Sequence, residues 1–242
     1  MYDVLIIGGG PCGTAAAIEC MKRGLDALVI EKGSLTDSIR RYPQRMTFFS
    51  TADNIAIGGV PFPSSNVKPS RNEALQYYRK VASYFGVKSA LYTKVVRMEG
   101  SDGEFVLHGD QGERFEGRKL IVATGYFDRP RKLEVPGEDL PHVSHYYDEP
   151  FRYSFTRVLI VGGGNSAIEA ALELYRHDVD VTLVHRGSEL KRTAKYWLLP
   201  DIRNRIEEGR IKVHFDTQVE RIEEDRVHLR QGKEQFDTGA DF

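Results

Sequence analysis

The chain opens on an apolar run, Val4-Leu5-Ile6-Ile7, that breaks on three glycines. Ala-rich residues with a helical period follow, and then a second apolar run, Ala27-Leu28-Val29-Ile30. Short β-branched runs around one amphipathic stretch predict a β-α-β unit in a parallel sheet. The pattern returns: residues 3–33 align without a gap onto residues 157–187. Two such units so far apart predict two nucleotide-binding domains, not one.

Between the copies the pattern is less regular. Residues 36–69 are rich in Pro, Ser and Asn and predict a loop-dominated insert. Ser70 and Glu73 form a capping-box signature, which predicts a helix over 71–85 ended by Gly86. Residues 87–119 predict short strands with turns at 101–103 and 109–112, and 120–125 an apolar strand ending in a small-residue turn. The Pro-rich stretch 129–141 is the expected linker. After the second copy, 189–208 reads as mostly helical with an interruption at Pro200, and 210–230 as further strands. Ala240-Asp241-Phe242 reads as the approach to another strand, with no closing helix behind it. The expected fold is α/β, with two Rossmann-like dinucleotide-binding domains built on parallel sheets.

The glycine runs bring in chemistry. Gly8, Gly10 and Gly13 make G-x-G-x-x-G between a strand and a helix. The first glycine allows the tight turn, the second lets backbone N–H groups approach a pyrophosphate, and the third lets helix and strand pack closely. Pro11 suits the first helical turn, where a missing N–H costs nothing. Glu31 follows Gly8 by 23 residues. A carboxylate there accepts ribose hydroxyls, which suits FAD or NAD and repels a 2′-phosphate. In the second copy Gly162, Gly164 and Ala167 make G-x-G-x-x-A, with Asn165 and Ser166 between them. The acid is replaced by His185, followed by Arg186, Lys191 and Arg192. Guanidinium groups grip phosphate, so this copy is expected to take NADPH. The alternative is a solvated basic loop with NADH bound instead.

Composition narrows the partners. The chain has 242 residues, 40% hydrophobic, with a net charge of −1, so no broad basic field invites nucleic acid or an acidic membrane. No apolar run approaches the roughly 20 residues that span a bilayer. The first strand begins at Tyr2, which leaves no room for a signal peptide. Cys12 and Cys20 are the two cysteines, about 12 Å apart along a helix, too far to pair. Few cysteines and no leader point to a reducing cytoplasm. Seven scattered histidines give no zinc spacing, so no metal is expected.

With these residues in hand, the chain resembles the two-dinucleotide-domain flavoproteins, and within them the thioredoxin reductase-like enzymes. GGGNSAIEAALEL followed by VHRGSELKR is similar to their NADPH motif, and IVATG at 121–125 to the place where their chain leaves the FAD domain. RRYPQRMTFFSTADNIAIGGVPF, KPSRNEALQYYRKVA, GGGPCG, ATGYFDRP and YWLLPDIRNRI resemble the YpdA-type bacillithiol disulfide reductases. The resemblance implies FAD and NADPH as cofactors, a low-molecular-weight disulfide as substrate, and a homo-oligomer. It also implies an FAD domain over 1–125 that lacks its C-terminal part, and an NADPH domain over 126–242. Lys32, Thr47, Val95, Thr124 and Gly125 complete the expected cofactor-binding set.

No C-x-x-C pair is present, so the redox thiol is either Cys12 or none. The positive end of a helix favours the Cys12 thiolate, while a neighbouring pyrophosphate opposes it. The aligned residue is Ser166, so packing alone also accounts for a small polar residue here. Cys20 falls in the apolar helix as core. Two rival readings stand beside the reductase. ATGYFDRPRKLEVPG and His142-x-x-x-Tyr146 also resemble flavin monooxygenases, with the same two cofactors. The other rival is a nucleotide-sensing protein that binds without turnover.

Overall fold

The computed structural model describes residues 1–191 and 193–242. The chain divides into two compact units, Met1–Pro130 and Arg131–Phe242.

In the first unit, strand β1 (Tyr2–Ile7) runs into helix α1 (Pro11–Lys22) and strand β2 (Ala27–Ile30). Helices α2 (Asp37–Arg40) and α3 (Arg71–Phe85) follow, and then β3 (Ser89–Ala90), β4 (Val95–Ser101), β5 (Glu104–Gly109) and β6 (Arg114–Val122). The six strands form one sheet in the order β3-β2-β1-β6-β5-β4. β1 is parallel to β2 and to β6, and β2 to β3, while β4, β5 and β6 pair antiparallel. Strand alternation divides the apolar residues between two faces. Val4, Ile6 and Val29 pack with Ala17 and Cys20 of α1, while Leu5, Leu28, Ile30 and Leu107 form a separate cluster.

The loop-dominated insert is more ordered than its composition suggests. Ile39, Ala52 and Phe62 bury against Ala74, Tyr77, Tyr78 and Val81 of α3. Tyr77 Oη donates to Val60 O at 2.6 Å and accepts from Ile57 N at 2.9 Å, and Tyr78 Oη donates to Ile55 O at 2.9 Å. Buried phenols thus take up loop polar groups that would otherwise lack partners.

In the second unit, β7 (Arg157–Val161), helix α4 (Asn165–Tyr175), β8 (Asp180–Val184), helix α5 (Leu198–Glu207) and β9 (Lys212–His214) build a parallel sheet in the order β7-β8-β9. β10 (Thr217–Ile222), β11 (Arg226–Gln231) and β12 (Glu234–Gly239) form an antiparallel sheet. Ile168, Leu172, Val181, Leu183 and Ile202 lie at the centre of the larger core. The terminal residues run beside β7: Asp241 N donates to Arg157 O at 2.8 Å and Leu159 N to Phe242 O at 2.9 Å.

Two expectations need correcting. The stretch 129–141 is not a free linker past Pro130. Ile222 N donates to Pro136 O, Val135 and Leu140 pack on the cluster of Val227 and Leu229, and Glu138 accepts from Leu133 N and Glu134 N. Its prolines punctuate a packed surface coil. Pro200 does not interrupt a long helix either. It sits in the first turn of α5, where its missing N–H has no helical partner to lose, and 189–191 and 193–197 are irregular.

Helix α3 begins as predicted. Glu73 N accepts nothing but donates to Ser70 Oγ, and Ser70 N donates to Glu73 Oε2 at 2.7 Å. Backbone N–H groups of Ser65 and Ser70, with the Ser70 hydroxyl, pull the Glu73 carboxyl down to about 2 from 4.5. The folded value lies below the unfolded one, so the stabilisation is present above about 4.5 and is lost as pH falls toward about 2. Glu73→Gln is expected to cost about 1 kcal/mol at neutral pH. Thermal melts of both proteins should converge as the pH is lowered through that window.

Candidate functional site

Each unit turns from a buried strand into a helix through three glycines. In the first, Gly8 has φ +113°, a conformation that side chains disfavour, and a methyl group on it would strike the Ala123 carbonyl. A methyl group on Gly13 would strike the Gly8 carbonyl, so the third glycine is what lets α1 approach β1. Gly10 differs, because a methyl group there would meet nothing within 4 Å. α1 starts on Gly10 with Pro11 in its first turn, no side-chain cap and no acidic residue. Helix α3, by contrast, satisfies its first turn with its own capping box. Among the described residues, the first amides of α1 therefore have no side-chain acceptor.

Glu31 follows β2 and is 8% exposed. Its Oε2 accepts from Gly9 N at 2.6 Å and its Oε1 from Gly33 N at 2.9 Å. The carboxylate that sequence assigns to a ribose thus also clamps the glycine turn. It has about four acceptor sites, so two remain. Thr36 N donates to Gly9 O at 2.9 Å, a second tie from the segment after β2.

The remaining expected residues of this unit lie at different distances from the turn. Thr124 and Gly125 follow β6 and are exposed, next to the Ala123 carbonyl that crowds Gly8. Val95 opens β4, and Thr93 N, two residues earlier, donates to Glu31 O at 2.9 Å. Thr47 bridges to Ser70 at the start of α3, in the insert and not in the turn. Lys32 pairs with Asp128, which also pairs with Arg41. Arg41 in turn reaches Asp37, which Arg40 also holds. Burial pushes the Asp37 and Asp128 carboxyls up, but these cations hold both below their ordinary values. Asp128 thereby ties the chain after Gly125 to the segment after β2. Sequence reasoning missed this network, since Arg41 and Asp128 are 87 residues apart and no local pattern links them. Cys12 is exposed in the first turn of α1. Cys20 is buried in the core, and burial pushes its thiol up.

In the second unit, Gly162 has φ +145°, and a methyl group on it would press on Ala167 at 3.2 Å. α4 starts on Gly164, again with no side-chain cap and no acid in its first turn. Asn165 and Ser166 occupy that turn. His185 is 8% exposed, and its ring lies 2.7 Å from where a Cβ of Gly163 would stand. Burial, then the charges of Lys191 and Arg186, push its imidazole below the ordinary value, with Asp216 pulling the other way. At neutral pH the positive charge here comes from Arg186 and Lys191, both exposed. Lys191 N donates to Gly163 O at 3.0 Å. Arg192 lies outside the described residues.

Two α/β units, each passing from a parallel strand to an uncapped helix through glycine, define the class of two-domain Rossmann-like oxidoreductases. The family model of the pyridine nucleotide-disulphide oxidoreductases matches residues 5–240, and the chain belongs to that family. It is 40% identical to bacilliredoxin reductase Bdr of Bacillus subtilis over 234 residues, 97% of this chain and 72% of that protein. The solved structure of bacillithiol disulfide reductase Bdr (YpdA) from Staphylococcus aureus superposes with a TM-score of 0.97 at 39% identity, over 100% of this chain and 74% of that one. The Bacillus cereus structure of the same name gives 0.95 at 38% identity, over 100% and 76%. Among the described residues, no helix is long and apolar enough to cross a membrane.

The glycines make a test of the turn. Gly13→Ala is expected to destabilise the fold by about 1–3 kcal/mol, because strand and helix must separate. Gly10→Ala should stay within about 0.5 kcal/mol of the wild type. Denaturant midpoints of the two variants check both values.

Proposed function

We propose that the protein is an NADPH-dependent FAD enzyme that reduces a low-molecular-weight disulfide of the bacillithiol kind. The observation that carries this reading is the 40% identity to a bacilliredoxin reductase over 97% of the chain. Supporting it are two open glycine turns of opposite chemistry, one closed by an acid and one flanked by cations. When bound, NADPH supplies a hydride and FAD relays its two electrons to the disulfide.

The protein's part is to bind, orient and exchange. The amides at the start of α1, open above Gly10, would take the FAD pyrophosphate, with Glu31 accepting ribose hydroxyls on its free lone pairs. Lys32, Val95, Thr124 and Gly125 border that end of the sheet, and Thr47 would approach from the insert. Gly162, Gly164, Asn165, Ser166 and Ala167 would hold the NADPH pyrophosphate in the same way. Neutral His185 packs against the turn, and Arg186, Lys191 and Arg192 would grip the 2′-phosphate.

Cys12 is the exposed cysteine of the pair, in the first turn of α1. As a thiolate it would attack one sulfur of the substrate, joining Cys12 Sγ to one half and releasing the other as a thiolate. The enzyme would work in the reducing cytoplasm as a homo-oligomer.

The test is to reduce the FAD-loaded protein anaerobically with NADPH and follow the flavin absorbance. Rapid reoxidation by bacillithiol disulfide is expected, and its loss in Cys12→Ala. Reoxidation by oxygen alone, with no response to disulfide, would favour the monooxygenase. Binding of NADPH with no consumption would favour the sensor. Gly10→Ala, stable on its own, should fail to retain flavin, because its methyl group would occupy the space left for the pyrophosphate.

A further inference from the structure

The two copies differ at the start of their helices in a way that pyrophosphate binding does not require. Asn165 and Glu169 stand where the first copy has Pro11 and Ala15. Neither Pro11 nor Ala15 has a side chain that can hydrogen-bond. In the second unit both positions are used, and by one residue. Asn165 Oδ1 accepts from the backbone N of Lys195 at 2.6 Å, and Glu169 pairs with its Nζ. Asn165 and Glu169 are four apart and share one face of α4. They therefore grip Lys195, which is 5% exposed, by main chain and side chain together.

That grip continues to the glycine turn. Ala194 N donates to Lys191 O at 3.0 Å, and Lys191 N to Gly163 O at 3.0 Å. The stem of Lys191 passes over Gly164, with Cδ 3.9 Å from where a Cβ would stand. Lys191 is thus tied on one side to the turn and on the other to α4, with its ammonium free in solvent. The first unit has the matching main-chain tie, Thr36 N to Gly9 O at 2.9 Å, but Pro11 and Ala15 offer no second anchor.

We propose that Asn165, Glu169 and Lys195 are positioning residues that hold Lys191 at the mouth of the second turn, and that this sets the preference for a 2′-phosphorylated adenosine. The proposal rests on the reading of this site as the NADPH site. A lysine on an unanchored loop loses loop and side-chain freedom on gripping a phosphate, whereas an anchored one has already lost the loop's share. That saving reaches only a ligand that carries the extra phosphate.

Titration calorimetry with 2′,5′-ADP and 5′-AMP tests it, since the two probes differ only in the 2′-phosphate. The variant is Glu169→Gln with Lys195→Gln, which removes both charges and orphans neither. Its 2′,5′-ADP affinity should fall about tenfold. Its 5′-AMP affinity should stay within about twofold, and Lys195→Arg should retain the wild-type preference. Lys195→Met with Glu169→Leu, which likewise leaves no charge unpaired, gives the same readout if the first double variant melts below the assay temperature. If the wild type does not prefer 2′,5′-ADP, the NADPH reading fails and the proposal with it. If the wild type prefers it and the variant does too, the proposal alone is overturned. Equal weakening of both probes also overturns it, because the pair would then only support the turn.

Discussion

How closely a helix can approach the strand before it governs both units. In the first, the Gly8 and Gly13 backbones meet with no room for a methyl group, and Gly8 is also crowded by Ala123, just after β6. This contact brings the start of α1 to the carboxyl ends of β1 and β6. In the second, Ala167 replaces the third glycine and its methyl group is accommodated; a methyl group added to Gly162 would meet it at 3.2 Å. A parallel sheet gathers its strand ends on one edge, so the open helix start and the residues after β2 or β8 meet there without further design.

On that shared frame the two turns are closed differently. Glu31 locks the first with two backbone hydrogen bonds and keeps acceptor capacity beyond them. His185 cannot do the same. It fills the space beside Gly163 with an imidazole that burial and nearby cations keep neutral. The tie in the second unit passes instead to Lys191 and Lys195. The repeated motif thus carries negative charge at one turn and positive charge at the other.

The surroundings of the first turn are held by long-range polar contacts. Asp128 joins Lys32 and Arg41, and Arg41 joins Asp37, so the segments after β6 and after β2 are fixed together. The insert is fixed through the Tyr77 and Tyr78 hydroxyls to α3.

Periodicity and glycine spacing determined the two β-α-β units, the capping box of α3 and the motif residues, because each depends on residues within a few positions of one another. Family resemblance, carried by whole segments, determined the chemistry expected of them. Only the tertiary structure decided what joins distant positions: Glu31 as a clamp on Gly9, Asp128 on Lys32 and Arg41, and Lys195 between Asn165 and Glu169. It also decided that the proline-rich 131–141 stretch packs on β10 and β11, and that Pro200 begins a helix. Proline constrains only its own φ and N–H, so its local meaning depends on whether the chain around it finds a surface to pack against.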